Sequence, residues 1–305
     1  MNTKKIAVLI PCYNEEQTIY KVVNDFKKEL PEALIYVYDN NSKDKTAVLA
    51  KEAGALVRKE VRQGKGYVIQ RMFREIEADF YVLVDGDDTY PAETVGRLIS
   101  LIKSANADMV VGDRLSNGTY ERENKRGFHD FGNSLVKKMV NIFFRSDLKD
   151  IMSGYRVFSR NFVKNYPVLV GGFQLETDMT IFALDKKFVI RELPIKYRDR
   201  PTGSVSKLNT FSDGAKVIMV IFNLFRYYRP FFYFSMIALF FITIGLIVGF
   251  PVVLEYVETS YVLKVPSAIL ASGLIILGLI SFVSGVILDA IKRMGDEIFE
   301  LNMKK

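Results

Sequence analysis

The sequence predicts an α/β protein: a doubly wound sheet domain, then an amphipathic helix, then a two-helix membrane hairpin. Three observations carry that prediction. Short apolar runs alternate with amphipathic stretches through residues 1 to about 205. Two later stretches, Pro230 to Leu254 and Val265 to Leu288, hold no charged residue. Of the 305 residues, 49% are apolar, and the mean hydropathy of +0.11 exceeds what a soluble domain needs, so part of the chain serves lipid.

The elements follow in order. Ile6–Ile10 is a buried strand ending at Pro11; after Lys4-Lys5 this run is too short for the apolar core of a signal peptide. Asn14-Glu15-Glu16-Gln17 opens a helix to about Leu30, with Asn14 as its N-cap. Strands are expected at Leu34–Tyr38, Ala55–Arg58, Phe80–Val84 and Met109–Val111. Helices are expected at Ser42–Ala53, Gly66–Ile76 and Pro91–Ser104. Strict alternation implies a parallel sheet. Phe128–Phe144 and Gln174–Lys186 read as helices and Phe188–Ile195 as a strand. From Phe211 to Tyr228, Val217, Ile218, Ile221, Phe222 and Phe225 form one apolar face, which suits a helix in the membrane interface or one packed on the soluble domain.

Each charge-free span is roughly 36 Å long as helix, enough to cross about 30 Å of hydrocarbon. Arg226 and Arg229 precede the first span, and Lys292, Arg293, Lys304 and Lys305 follow the second, whereas Glu255 to Lys264 between them holds one basic residue. The positive-inside rule then places both flanks, and with them the α/β domain and both termini, in the cytoplasm of a multi-pass cell-membrane protein. The organisation expected is a domain over residues 1–205, a juxtamembrane region over 206–229, a hairpin over 230–290 and a basic tail over 291–305.

Scarce residues exclude whole chemistries. One Cys (Cys12) permits no internal disulfide and no thiolate zinc site, and one His (His129) permits no His-rich metal centre. No nucleophile elbow accompanies that His. The net charge of +7 comes without an aromatic-basic stripe, so nucleic acid is not an expected partner. Cys12 and His129 read as structural.

Ligands of such sheets bind beyond the carboxyl ends of the strands, which selects Pro11–Glu15, Asp39–Ser42, Asp85–Thr89 and Gly112–Arg114. Asp85-Gly86-Asp87-Asp88-Thr89 is the strongest of these. Its carboxylates repel one another unless a cation joins them, and Asp85 and Asp87, two apart, suit a Mg²⁺ or Mn²⁺ ion that also binds phosphates. The plain alternative is a solvated acidic turn. Asp39 could accept hydrogen bonds from a nucleotide, while Ser42 or Asp44 caps the next helix. Gly64-Lys65-Gly66 opens a helix whose N-terminus suits a phosphate, without being a P-loop or a dinucleotide fingerprint. Arg114, Arg122, Lys125, Arg126, Arg198, Arg200 and Lys207 supply cations for phosphate chemistry or for anionic headgroups.

Six segments in order then carry a resemblance: Ile10 to Glu16, Asp39 to Thr46, Lys65-Gly66, Asp85 to Asp87, Asp150 to Arg156, and Arg200 to Lys207. They resemble the family 2 glycosyltransferases of GT-A fold, and more narrowly the polyprenyl-phosphate glycosyltransferases, the group of dolichyl-phosphate mannose synthase and the bacterial GtrB-type enzymes. The likeness covers about residues 5 to 215 and extends to the hairpin. It implies an inverting transfer of a hexose or N-acetylhexosamine from a nucleotide sugar to the phosphate of a membrane polyprenol, undecaprenyl or dolichyl phosphate. By the same likeness Pro11, Tyr13, Glu15, Asp39, Lys65, Asp85, Gly86, Asp87, Arg200 and Lys207 hold the nucleotide sugar. Arg114, Arg126 and Arg200 face the acceptor phosphate. Asp87, Asp85 and Thr89 hold Mg²⁺ or Mn²⁺ through the D-x-D motif, and catalysis falls to Asp85, Asp87, Asp150 and Arg114. Asp150 matches a carboxylate proposed as base in some members, although an acceptor already anionic hardly needs one; orienting Arg156 or the acceptor is its other reading.

Two departures bear on specificity. Thr89 stands where some relatives carry a metal-binding Gln, and its shorter side chain leaves room for a water. The Arg200–Lys207 loop is one residue longer than in the mannose synthases, which favours a UDP-sugar over GDP-mannose. A processive polysaccharide synthase is disfavoured by the absence of Trp, and a non-catalytic membrane partner by the intact Asp85/Asp87 pair. Besides nucleotide sugar, polyprenyl phosphate and bilayer, a second copy of the chain is a candidate partner.

Overall fold

A computed structural model describes residues 4–116, 127–168, 175–198, 222–223 and 225–303, with side chains throughout except in residues 127–133. The chain forms two compact units, one up to residue 217 and one from residue 218 onward.

The first unit is built on a seven-stranded sheet. Its strands are β1 (Ile6–Cys12), β2 (Leu34–Asp39), β3 (Leu56–Lys59), β4 (Phe80–Leu83), β5 (Met109–Asp113), β6 (Arg156–Ser159) and β7 (Ile190–Pro194), in the order β3-β2-β1-β4-β6-β5-β7. The helices are α1 (Ile19–Glu29), α2 (Thr46–Glu52), α3 (Lys65–Glu75), α4 (Val95–Ser104), α5 (Gly127–Phe144), α6 (Arg160–Asn165) and α7 (Leu175–Asp185). Val8, Ile10, Val37 and Val82 of the strands pack with Val23 and Phe26 of α1 and Leu98 and Ile102 of α4 in one continuous core. β1 runs parallel to β2 and β4, with Cys12 beside Asp39 and Leu9 beside Leu83. Their carboxyl ends therefore meet at one edge of the sheet, where the sequence places its ligand motifs.

The sheet is mixed, which corrects the expectation of a parallel one. β6 lies antiparallel between β4 and β5, with Arg156 beside both Leu83 and Val111. The strand begins on a charged residue and holds only two apolar ones, so no apolar run marks it. Inserted there, β6 carries the fully buried Arg156 into the sheet centre. Its guanidinium donates to the Ile151 and Ser153 carbonyls, both at 2.8 Å, and to Thr180 Oγ1 at 2.9 Å. Burial lowers the Arg156 pKa, and these acceptors hold the loop that leads into the strand.

Two local expectations change. Asn14 caps no helix: α1 begins at Ile19, and Asn14 adopts φ 54° while its Oδ1 accepts from the Lys43 amide at 2.8 Å. It braces the β2–α2 loop instead. Asp44, as anticipated, accepts from the Thr46 amide at the start of α2.

The second unit consists of α8 (Pro230–Thr259) and α9 (Val265–Met303), both long and apolar enough to cross a membrane. Small residues set their contact. A Cβ on Gly278 would lie 2.6 Å from Ile242 Cγ1 and 3.0 Å from the Ala238 carbonyl, and one on Gly245 would lie 2.8 Å from Ile275 Cγ1. The outward side chains, among them Leu239, Phe240, Ile247, Ile276 and Ile280, are exposed, so these are not core helices of a soluble protein. Residues 291–303 are helical, in continuity with the second apolar stretch. Most of the expected amphipathic helix over 211–228 lies outside the described residues.

Arg156→Met would take the guanidinium donors from the buried Ile151 and Ser153 carbonyls and from Thr180 Oγ1, at about 1–3 kcal/mol for each group left unsatisfied. The expected loss of about 2–5 kcal/mol is measurable as a lower unfolding midpoint by circular dichroism.

Candidate functional site

The acidic turn follows directly from β4, whose four residues are all buried. The chain emerges at Val84-Asp85 and turns at Gly86, where space permits no side chain: a Cβ would lie 2.7 Å from Cys12 Sγ. The Gly86 carbonyl accepts from Thr18 Oγ1 at 2.6 Å, which ties the turn to the start of α1. Cys12 is thus a packing residue. Burial, then the carboxylates of Glu15, Asp39, Asp85 and Asp87, push its thiol well up, away from nucleophilic use.

The three carboxylates are separated from one another. Asp87 is buried, and its Oδ1 accepts from the Thr89 amide at 3.2 Å and the Thr89 hydroxyl at 2.7 Å. Thr89 therefore orients Asp87. Asp88, in a left-handed conformation with φ 59°, turns away to Lys21 at 2.8 Å. Asp85 meets Lys65, whose Nζ lies 2.6 Å from Asp85 Oδ1 and 2.6 Å from Glu176 Oε1. Burial opposes the ammonium charge, but the two carboxylates outweigh it and raise Lys65 above its ordinary value.

Glu176 is a residue that sequence reasoning missed. It sits in the first turn of α7, whose residues from Leu175 to Ala183 are all buried. A carboxylate in so buried a helix requires a charged or hydrogen-bonding partner, and Leu175-Glu176-Thr177-Asp178 within an apolar run was the available signal. Asn40 was also missed. Its amide donates to the Glu60 and Arg62 carbonyls at 3.0 and 2.8 Å, and its Oδ1 accepts from the Gly64 amide at 2.7 Å. One buried side chain so shapes the 60–64 loop and delivers Lys65. Gly64, at φ 135°, occupies a conformation that side chains rarely adopt.

Arg114 and Asp150 form the third part. Arg114 Nε and Nη2 lie 2.7 and 3.0 Å from the two Asp150 oxygens, a bidentate pair, and the Arg114 amide donates to Asp150 Oδ2 at 3.1 Å. Burial favours neutral Asp150, but the Arg114 charge and these hydrogen bonds, with the amides of Arg114 and Met152, hold its carboxyl below the usual range. Asp150 thus pairs with Arg114; Arg156 turns to carbonyls. Asp113 Oδ1 accepts from the Leu115 and Ser116 amides at 2.9 and 3.2 Å, shaping the turn that carries Arg114. Gly154 joins the two halves. Its amide donates to Tyr90 Oη at 2.9 Å, and a Cβ there would lie 2.5 Å from Asp85 Oδ2.

Pro11, Tyr13 and Glu15 occupy the end of β1, beside Asp39 at the end of β2. The Glu15 amide donates to Thr46 Oγ1 at 2.8 Å, and Asp39 Oδ1 accepts from the Ser42 amide at 3.2 Å. The strand ends therefore gather Pro11, Tyr13, Glu15, Asp39, Asp85, Gly86, Asp87, Thr89 and Arg114 at one edge of the sheet, and the Lys65 and Asp150 contacts join those two residues to it. Arg126, Arg200 and Lys207 lie outside the described residues, as do Arg122, Lys125 and the His129 side chain. Arg198 pairs with Glu93 at 2.5 Å. Among the described residues no group of three His, Cys, Asp or Glu is placed to hold a metal ion.

Comparison with known proteins agrees with this geometry. Residues 7–166 match Glycosyl transferase family 2. Glycosyltransferase AglJ of Haloferax volcanii is 29% identical over 296 residues, 96% of this chain and 95% of that one. A dolichyl-phosphate hexose transferase of the same organism is 28% identical over 70% of this chain and 90% of its own. Among solved structures, glucosyl-3-phosphoglycerate synthase from Mycobacterium tuberculosis, in complex with Mn²⁺, UDP and phosphoglyceric acid, shares the fold. Its TM-score is 0.57 at 22% identity, over 73% of this chain and 78% of that one.

The Arg114–Asp150 pair makes a pH prediction. A carboxyl held low in the folded state contributes stability above its unfolded pKa and loses it as pH falls through the folded value. The stability difference between wild type and Asp150→Asn should therefore be constant from about pH 5 to 8 and shrink below about pH 4. Thermal unfolding midpoints across that range check it.

Proposed function

This chain belongs to glycosyl transferase family 2, and from that premise we propose that it moves one hexose or N-acetylhexosamine from a nucleotide sugar, a UDP-sugar by preference, to the phosphate of a membrane polyprenol. One observation carries the reading. Asp85 and Asp87, the Lys65 ammonium and the Arg114–Asp150 pair meet at one sheet edge, in a chain that also holds two membrane-length apolar helices. Similarity to the dolichyl-phosphate hexose transferase supports the acceptor class. The UDP and Mn²⁺ of the glucosyl-3-phosphoglycerate synthase support the donor class and the metal.

Asp85 and Asp87 would hold Mg²⁺ or Mn²⁺. Their carboxylate oxygens are the hard donors these ions take, and two carboxylates completed by substrate phosphates is the usual arrangement. Such an ion neutralises charge on the departing diphosphate. Thr89 keeps Asp87 in the orientation this requires. Lys65 brings a fixed positive charge beside Asp85, and Pro11, Tyr13, Glu15 and Asp39 line the strand ends that would receive the nucleotide. Arg114, oriented by Asp150, would present its guanidinium to the acceptor phosphate. An acceptor oxygen attacks the anomeric carbon from the face opposite the diphosphate; that carbon–oxygen bond breaks, the nucleoside diphosphate leaves, and configuration inverts. The acceptor phosphate is already anionic near pH 7, so Asp150 acts by orienting Arg114 and takes no proton. Arg126, Arg200 and Lys207 complete the cation set by resemblance. The basic flanks of the hairpin favour a catalytic domain on the cytoplasmic side of the membrane.

Purified full-length protein with polyprenyl phosphate and a panel of UDP- and GDP-sugars should form a lipid-linked sugar that EDTA prevents. Donors that bind without giving any lipid product would overturn the reading, and a GDP-mannose product would correct the donor preference. Asp87→Ala should reduce turnover by about a thousandfold or more. Gly154→Ala, which displaces the Asp85 carboxylate, should lower turnover about 10- to 100-fold with an unfolding midpoint close to wild type.

A further inference from the structure

The carboxyl ends of β5 and β7 lie side by side. The two strands are parallel, with Asp113 beside Pro194. The Asp113 carbonyl accepts from the Ile195 amide at 2.9 Å, which carries the pairing past the strand ends. A Cβ on Gly112 would lie 2.8 Å from Ile195 Cδ1, so glycine lets the two segments close on each other. Arg114 leaves one of these ends and Tyr197 the other. The Arg114 guanidinium carbon lies over the Tyr197 ring, 5.7 Å from its centroid.

Tyr197 is in turn held by the acidic turn. The buried Tyr90 meets its ring edge-on, with centroids 5.6 Å apart and planes at 76°. The amide of the next residue, Arg198, donates to the Thr89 carbonyl at 3.0 Å. Tyr90 Oη accepts from the amide of Gly154, the residue that lies against Asp85. The ring beside Arg114 thus rests on the segment that carries Asp85 and Asp87. Asp150 takes two of the five guanidinium N–H groups and fixes the group along one edge. An edge contact still lets a guanidinium tilt out of its plane. A π-face against it opposes that tilt and attracts the charge.

Resting on the reading of Arg114 as the acceptor-phosphate cation, we propose that Tyr197 is a positioning residue for the transfer. Its ring fixes the face of the Arg114 guanidinium as Asp150 fixes the edge, and so ties that cation to the turn that would hold the donor. The position requires an aromatic ring and not a hydroxyl.

Calorimetric titration of the full-length protein in lipid nanodiscs tests this, with empty nanodiscs as the blank. The probes are farnesyl phosphate, a short polyprenyl phosphate, and separately UDP with Mn²⁺. Tyr197→Leu should weaken farnesyl phosphate binding, and lower kcat/KM for that acceptor, by about five- to twentyfold. Its UDP affinity and unfolding midpoint should stay close to wild type. Tyr197→Phe, which keeps the ring, should match wild type. In an Arg114→Ala background Tyr197→Leu should cost nothing further, since the ring acts only through that guanidinium. Wild-type farnesyl phosphate binding by Tyr197→Leu overturns the proposal and leaves the acceptor reading standing. An equal loss of UDP affinity, a loss in Tyr197→Phe as large as in Tyr197→Leu, or a full further loss beyond Arg114→Ala overturns it as well. A wild type that binds no farnesyl phosphate overturns the acceptor reading and the proposal together.

Discussion

Three carboxylates leave the carboxyl end of β4 within four residues, and much of the surrounding architecture keeps them apart. Left together in a partly buried turn they would repel one another at short range, in a medium that screens poorly. Each has its own answer. Asp88 is rotated outward to Lys21 by a left-handed backbone. Asp87 is turned inward onto the Thr89 amide and hydroxyl. Asp85 is held by an ammonium that a loop delivers from twenty residues upstream. The Asn40 scaffold, the φ of Gly64 and the burial of Glu176 all follow from the need to place that one Lys65 charge.

A second arrangement depends on the antiparallel strand β6. Because it separates β4 from β5, the Asp150–Gly154 segment lies between the acidic turn and Arg114. Gly154 touches the Asp85 carboxylate on one side, and Asp150 grips Arg114 on the other. A purely parallel sheet would set β4 directly beside β5 and leave no such spacer. Arg156 secures the segment through the Ile151 and Ser153 carbonyls and the Thr180 hydroxyl. The result is a fixed anion at Asp150 that sets the orientation of the planar Arg114 guanidinium.

The hairpin obeys a different solvent. Between α8 and α9 glycines allow close approach, and outside them bulky apolar side chains face outward, as helices packed in lipid require. Beyond Leu288 the same helix carries six charged residues up to Met303.

Much of this was legible in the residues alone. Apolar runs bounded by Pro, Gly and Asp located all but one of the strands, and charge-free length located both membrane helices, because burial and lipid each act on composition over a local window. Asp85 and Asp87 could be identified as a pair because a repeated carboxylate two residues apart at a strand end is chemically expensive without a purpose. What the residues did not disclose was every relation across distance. The antiparallel β6 begins on a charged residue and holds only two apolar ones. The Lys65–Glu176 contact spans 111 residues, the Arg114–Asp150 pair spans 36, and Asn14 serves a loop rather than the helix it precedes. Local sequence determined which groups the site contains, since side-chain type and secondary-structure propensity are properties of short segments. Only the tertiary structure decided which charge answers which, since burial and separation are properties of the folded whole.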